Sequence, residues 1–369
     1  MQVRISRRSV LGGLFGGAAG LVLPPAAIAQ LVGPAHGIIR LTSNENPYGP
    51  SPAALKVAEE ASASGAFYPG RISGDLIRVI AEREGIGADG VALSSGSNEA
   101  LCAAAMAWGR HGRVLAPALT YDLHLGYAEQ NGVEVATVPL DPDMGINLGR
   151  LAAAVDDRTS LVYVCNPNNP TGMLLDGDDL RAFCREVGKR ATIVVDEAYN
   201  ELTGDPAYSS MMNLVRAGEN VIVMRTFSKI FGMAGMRIGY AMGRPDLIGR
   251  VRDSVMSWPN IVGLAMAYVS YTDDEFIAFS RDRILEGRKI VSEAFRRNGV
   301  EPLPSETNFV FADIGVDVNE LAARMRDRNI EIRRSYPPYD TWMRVSMGKL
   351  DELEIFADVF DELYPQAKG

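Results

Sequence analysis

The sequence predicts an α/β protein: a large domain on a mostly parallel sheet flanked by helices, followed by a smaller α/β domain. Three observations predict it. Between about residues 76 and 243, apolar-periodic stretches alternate with short β-branched runs, which is a βαβ rhythm. Those runs are mostly apolar, as strands buried on both faces of a parallel sheet usually are. Beyond about Asp273 the rhythm gives way to one long helical stretch and then strand, helix, strand and helix. The 369 residues leave room for about two domains at roughly 150 residues each. The 37 Gly and 20 Pro are spread without a period, which excludes a collagen-like chain.

Residues 1–29 read as a signal peptide. Arg4, Arg7 and Arg8 form a basic start, residues 10–23 are apolar and Gly-rich, and Ala27-Ile28-Ala29 is a small-x-small cleavage site before Gln30. Ser6-Arg7-Arg8-Ser9-Val10-Leu11 resembles a twin-arginine signal, whose route carries folded proteins. The apolar run is shorter than the ~20 residues of a spanning helix, so no stable membrane insertion is expected after cleavage. The expected location is periplasmic or exported, and cytoplasmic if the signal does not function. Removing the segment takes away its three arginines and no acid, moving the formal charge from −9 to −12. With no Lys/Arg-rich block, such a chain lacks the electrostatic footprint of nucleic-acid binding.

Along the mature chain the expected strands are 91–93, 114–116, 133–138, 161–164, 192–195 and 221–224, with helices such as 98–108 and 178–189 between them. Further on come a helix over 274–298, a strand at Phe309, a helix over 318–328, a strand over 344–346 and a helix over 351–363. Cys102, Cys165 and Cys184 lie in apolar-periodic segments and read as buried thiols. An oxidising compartment leaves a Cys102–Cys184 bridge open. His36, His111 and His124 are scattered, so neither a metal site nor a histidine-based triad is expected.

Four segments carry the chemistry. Thr226-Phe227-Ser228-Lys229 ends a buried strand in a Gly-rich loop, with Arg237 eight residues beyond Lys229. A lysine there can be desolvated into a nucleophilic amine, and the hydroxyls with the arginine make an anion cradle. The same lysine also suits a surface loop. Asp196, in Val194-Val195-Asp196-Glu197-Ala198-Tyr199, ends another strand, where it either faces a ligand crevice or caps the next helix. Asn166-Pro167-Asn168-Asn169-Pro170-Thr171-Gly172 is a turn whose amides can also bind an oxygen. Ser95-Gly96-Ser97-Asn98-Glu99 opens a helix whose N-terminus suits a phosphate, as many non-binding helix starts also do.

In this order and spacing these segments resemble fold-type I pyridoxal-phosphate enzymes, and within them class I/II aminotransferases close to histidinol-phosphate aminotransferase. The resemblance runs from Ser43-Asn44-Glu45-Asn46-Pro47-Tyr48-Gly49 and Tyr68-Pro69-Gly70 to Trp342-Met343-Arg344-Val345-Ser346-Met347-Gly348. It implies pyridoxal 5'-phosphate as cofactor and divides the chain into an arm and part of the small domain (30–65), a large cofactor-binding domain (66–272) and a small C-terminal domain (273–369). Lys229 would hold the cofactor as a Schiff base and shuttle the proton, and Asp196 would pair with the ring nitrogen. Tyr199 and Asn169 would bond the ring's 3'-oxygen, and Tyr121 would stack on its face. Ser97, Asn98, Thr226, Ser228 and Arg237 would hold the phosphate, with Tyr68 reaching in from the second subunit of a homodimer. Arg344 would fork onto the substrate carboxylate, with Asn44 and Arg333 also on the substrate side.

The loop Ser335-Tyr336-Pro337-Pro338-Tyr339 departs from the family pattern, and histidine biosynthesis is cytoplasmic. Together these point from a histidinol-phosphate-like donor toward an aromatic or broad range of amino acids, for which Tyr336, Tyr339, Trp258 and His124 are either pocket residues or ordinary packing aromatics. The implied reaction is ping-pong amino transfer between an L-amino acid and a 2-oxo acid. A decarboxylase on the same scaffold would use the same Lys229 and Asp196, and a binding protein without turnover would not need Arg344.

Overall fold

The computed structural model describes residues 33 and 35–368, so the expected signal peptide at 1–29 lies outside the described residues. Before Ile39 the described residues form a turn in which Ile38 N–H donates to the Ala35 carbonyl at 3.0 Å. Residues from Ile39 onward pack as one unit.

Eleven strands are present among the described residues: β1 (Ile39–Leu41), β2 (Val91–Ser94), β3 (Arg113–Pro117), β4 (Val135–Val138), β5 (Thr159–Cys165), β6 (Thr192–Asp196), β7 (Val221–Thr226), β8 (Gly239–Gly243), β9 (Phe309–Asp313), β10 (Ile330–Ile332) and β11 (Trp342–Ser346). Seven of them form one sheet in the order β2-β8-β7-β6-β5-β3-β4, with β8 antiparallel to both its neighbours and the other pairings parallel. The strand alternation divides the core. Val162, Val164, Ile193, Val195, Val221 and Val223 join one apolar cluster, while Leu161, Tyr163, Val194, Ile222 and Met224 join the other. The Ala-rich helix Ser97–Gly109 packs in the second cluster and the helix Gly177–Val187 in the first. A sheet covered on both faces is why its strands read as continuous apolar runs.

Two small sheets complete the scaffold: β1 runs parallel to β10, and β9 runs antiparallel to β11. The helices Asp274–Arg297 and Leu350–Lys368 pack together there, with the Phe295 and Phe360 rings edge to face at 5.1 Å. The expected strands and helices appear within a few residues, the run over 133–138 shortening to β4. Strands β1, β8 and β10 were not among the sequence expectations.

All three cysteines are free thiols. Cys165 and Cys184 are buried as expected, but Cys102 is only half-buried, on the helix Ser97–Gly109 one turn after Glu99. Burial and that carboxylate push its thiol up to about 11.

Candidate active site

The cavity sits where strands β5, β6 and β7 end at their C-terminal edge, the usual ligand crevice of an open α/β sheet. It encloses about 470 Å³. Each strand end delivers its residues by alternation. After β7, Phe227 turns inward and is fully buried against Phe231, Tyr240 and Tyr271, which leaves Thr226, Ser228 and Lys229 lining the cavity. Thr226 Oγ1 donates to Ser228 Oγ at 2.9 Å and accepts from Ser228 N–H at 3.1 Å, which holds both hydroxyls in the loop.

Lys229 Nζ donates to the Asn44 carbonyl at 3.0 Å and lies 5.6 Å above the Tyr199 ring. Burial first, and then the Arg344 guanidinium, bring its ammonium down to about 8. This is a half-buried cavity lysine and not one in a surface loop.

Asp196 ends β6 at 3% exposure. Its Oδ2 accepts from the Tyr163 hydroxyl at 3.2 Å and its Oδ1 from Ala198 N–H at 3.2 Å. Burial raises the carboxyl to about 6 against the lowering effect of those two donors. The helix-cap alternative does not hold, since the next element is a three-residue turn of 3-10 helix, Asn200–Leu202, with Tyr199 at its cap position. The Tyr199 phenol is buried, its pKa raised by burial, and its oxygen accepts from Asn44 Nδ2 at 3.0 Å. Asn44 is itself held in the left-handed region, at φ 54°, by paired hydrogen bonds with Ser346 Oγ at 2.9 and 2.7 Å.

The Asn166–Gly172 segment serves both as a turn and as cavity wall. Asn168 bonds Leu119 O, Thr171 Oγ1 and Thr120 Oγ1, whereas the Asn169 amide oxygen accepts from Arg344 Nη1 at 2.8 Å. Arg344, on β11, is buried at 5% exposure. Its Nη2 donates to the Thr42 carbonyl at 2.6 Å, and its buried Nε has no partner among the described residues. The more exposed Arg333 guanidinium lies 4.6 Å from the Tyr336 ring centre, and that of Arg344 lies 5.7 Å from the same ring.

Opposite in chemistry is a backbone cradle. The helix Ser97–Gly109 begins at Gly96, whose φ is +81°, with no side chain capping its first amides. A Cβ on Gly96 would collide with the Arg237 guanidinium, and one on Gly239 with the backbone of Ser97. Arg237 Nη1 reaches Ser228 Oγ at 3.4 Å, and Tyr121 OH donates to Asn98 Oδ1 at 3.3 Å. Free helix amides, hydroxyls and a guanidinium fit a phosphate. Together with the desolvated lysine and a carboxylate able to face a ring nitrogen, the donor set fits pyridoxal phosphate.

Ser97, Asn98, Tyr121, Asn169, Asp196, Tyr199, Thr226, Ser228, Lys229, Arg237, Arg333, Arg344 and Asn44 all line this cavity. Tyr68 does not: it is 85% exposed, 5.3 Å from the Trp258 ring, in a separate surface hollow. Of the proposed pocket aromatics Tyr336 lines the cavity, while Tyr339 and Trp258 do not and His124 is buried behind Tyr121. Sequence reasoning missed Thr42, whose contribution is a carbonyl and carries no side-chain signal, and Glu45, which lay inside a motif already singled out. It also missed Tyr163, which reads as one more apolar strand residue. Among the described residues no cluster of His, Cys, Asp and Glu could hold a metal ion.

Residues 36–360 match the family model of aminotransferase class I and II. The chain belongs to this family. It is 32% identical over 332 residues to histidinol-phosphate aminotransferase of Moorella thermoacetica, spanning 88% of this chain and 85% of that one. It is 34% identical over 332 residues to the enzyme of that name from Gluconacetobacter diazotrophicus, spanning 87% and 90%. The crystal structure of histidinol-phosphate aminotransferase from Sinorhizobium meliloti, in complex with pyridoxal-5'-phosphate, matches with a TM-score of 0.81 at 27% identity, over 93% of this chain and 95% of that one. The fold is that of the fold-type I pyridoxal-phosphate transferases, and the chain is a pyridoxal-phosphate-dependent aminotransferase. None of these relatives is a decarboxylase.

Proposed function

We propose that this aminotransferase exchanges an amino group between a 2-oxo acid and a donor that pairs an anionic group with a flat side chain, as histidinol phosphate and the aromatic L-amino acids do. The observation that carries this reading is the Tyr336 ring flanked by the Arg333 and Arg344 guanidiniums in the cavity that holds Lys229. Arg344 is the anchor: its unpaired Nε and its Nη2 give a fork for a carboxylate or phosphate.

Bound pyridoxal phosphate supplies an aldehyde that takes up amines and a ring that accepts the electron pair left at the α-carbon. The chain's residues do the rest. Lys229 offers a largely desolvated amine that binds the cofactor and, once freed, moves a proton to and from the substrate α-carbon. Asp196 holds a proton on the ring nitrogen, while Tyr199 and Asn169 donate to the ring oxygen. Tyr121 covers a ring face and keeps water from it. Ser97, Asn98, Thr226, Ser228 and Arg237 hold the phosphate, and Asn44 and Arg333 orient the substrate.

The test is the visible spectrum of the cofactor-loaded protein, recorded with single donors and no oxo acid. Histidinol phosphate or aromatic L-amino acids should bleach the yellow band, and a 2-oxo acid should restore it. Bleaching by small aliphatic amino acids alone would overturn the donor class.

The active assembly is a homodimer in this reading, with Tyr68 completing the partner's phosphate site. Its support is the exposure of Tyr68 in one surface hollow with the exposed Phe67 and Trp258, an apolar surface unusual for a chain that works alone. The protein is exported folded; support is the pattern at residues 1–29, and fractionation of cells carrying Arg7→Lys with Arg8→Lys should find the protein retained in the cytoplasm.

A further inference from the structure

Directly behind Asp196 lies a phenol that the reaction scheme above leaves unused. Tyr163 sits on β5 and is 1% exposed, its hydroxyl 3.2 Å from Asp196 Oδ2. Beside it, Cys165 Sγ donates to the Pro167 carbonyl at 3.3 Å while staying within hydrogen-bonding reach of the Tyr163 hydroxyl. The His124 ring packs edge-on against Tyr163 at 4.2 Å, and burial holds it neutral, near 3, with neither nitrogen bonded among the described residues. Among the described residues His124 therefore brings no charge to that side of the carboxylate.

We propose that Tyr163 is a positioning residue for amino transfer, holding the Asp196 carboxylate ionised and oriented from behind the cavity. The proposal rests on the reading of Asp196 as the partner of the cofactor's ring nitrogen. A carboxyl buried this deeply resists ionisation, yet it must be an anion to keep a ring nitrogen protonated. A hydrogen bond given to the charged form opposes burial. With Ala198 N–H on Oδ1 and Tyr163 on Oδ2, both oxygens are fixed, so the carboxylate needs no reorganisation when a ring nitrogen meets it. The other titratable groups around Asp196 are Lys229, Glu197, Tyr121, Tyr199 and Cys165, none of which hydrogen-bonds its carboxylate among the described residues.

The experiment compares Tyr163→Phe, Asp196→Asn and the double variant in the full chain. In cofactor-free protein the infrared carboxylate band of isotope-labelled aspartate, identified by its loss in Asp196→Asn, reports the Asp196 midpoint. That midpoint should rise by about one pH unit in Tyr163→Phe. In loaded protein Tyr163→Phe should lower kcat about tenfold with KM held within about twofold, and should add less than about twofold in the Asp196→Asn background. An unmoved midpoint, or a loss that simply multiplies with that of Asp196→Asn, would overturn the proposal and leave Tyr163 a packing residue. Full kcat in Asp196→Asn refutes the role of Asp196, and the proposal with it. Should Tyr163→Phe not fold, 3-fluorotyrosine placed at position 163, a stronger donor, should lower the midpoint, and no movement would again refute the proposal.

Discussion

The Lys229 amine and the Asp196 carboxyl are shifted in opposite directions by the same cause. Burial disfavours each charge, taking the lysine down to about 8 and the acid up to about 6. About a tenth of the lysine is then neutral at pH 7, against a negligible share for a solvated lysine. Covalent capture of pyridoxal phosphate by the cofactor-free protein, followed by stopped-flow absorbance, should therefore speed up with a midpoint near 8, whereas a midpoint near 10.5 would refute the desolvated lysine. Lys229→Ala should capture none. For Asp196 the sign runs the other way. Its folded value lies above the unfolded 3.8, so between about 4 and 6 the folded chain holds the extra proton, and stability falls as pH rises through that window. Asp196→Asn removes that loss. In urea melts of the cofactor-free proteins the variant should gain on the parent by about 3 kcal/mol between pH 4 and 7.

At the scale of elements, the phosphate cradle depends on close backbone approach. The helix Ser97–Gly109, the turn at Arg237 (φ 57°) and strand β8 converge where the Ser97 backbone leaves room only for hydrogen at Gly239 and where Gly96 takes a positive φ against the Arg237 guanidinium. Gly96→Ala meets both a positive φ and the Arg237 guanidinium, so it should cost about 1–3 kcal/mol of stability and weaken pyridoxal phosphate at least about tenfold by equilibrium titration. A second contact ties the strands behind the site together. Buried Glu197 on the far side of Asp196 accepts from Arg225 of β7, Ser210 Oγ and Met211 N–H, so the ends of β6 and β7 are held in register. The periodicity made these two strands legible because both faces are apolar. It did not reveal β1 and β10, three residues each and half-polar in part, whose pairing depends on partners nearly three hundred residues apart. Strand β8 was hidden for another reason: Gly239 and Gly243 end it, and glycine carries a turn signal.

Across the whole molecule, one cavity gathers residues from position 42 to position 344. Tyr68 alone among the expected cofactor-binding residues stays outside it, exposed with Trp258. If a second copy supplies Tyr68, dilution should lower cofactor occupancy as the dimer dissociates, and Tyr68→Phe should weaken the cofactor without changing the sedimentation coefficient. A concentration-independent monomer that retains cofactor would refute the shared site. Lys229, Asp196, Asn169 and Arg237 were legible along the chain because their chemistry is written in short segments that end strands or open helices, where local pattern and ligand-facing position coincide. The chain order could not show that the Thr42 carbonyl and Asn169 converge on Arg344, that Tyr163 stands behind Asp196, or that Cys102 faces half outward. Those facts depend on which distant elements pack side by side and on how much water they exclude, and burial is a property of the packed neighbours and not of the residue that is buried.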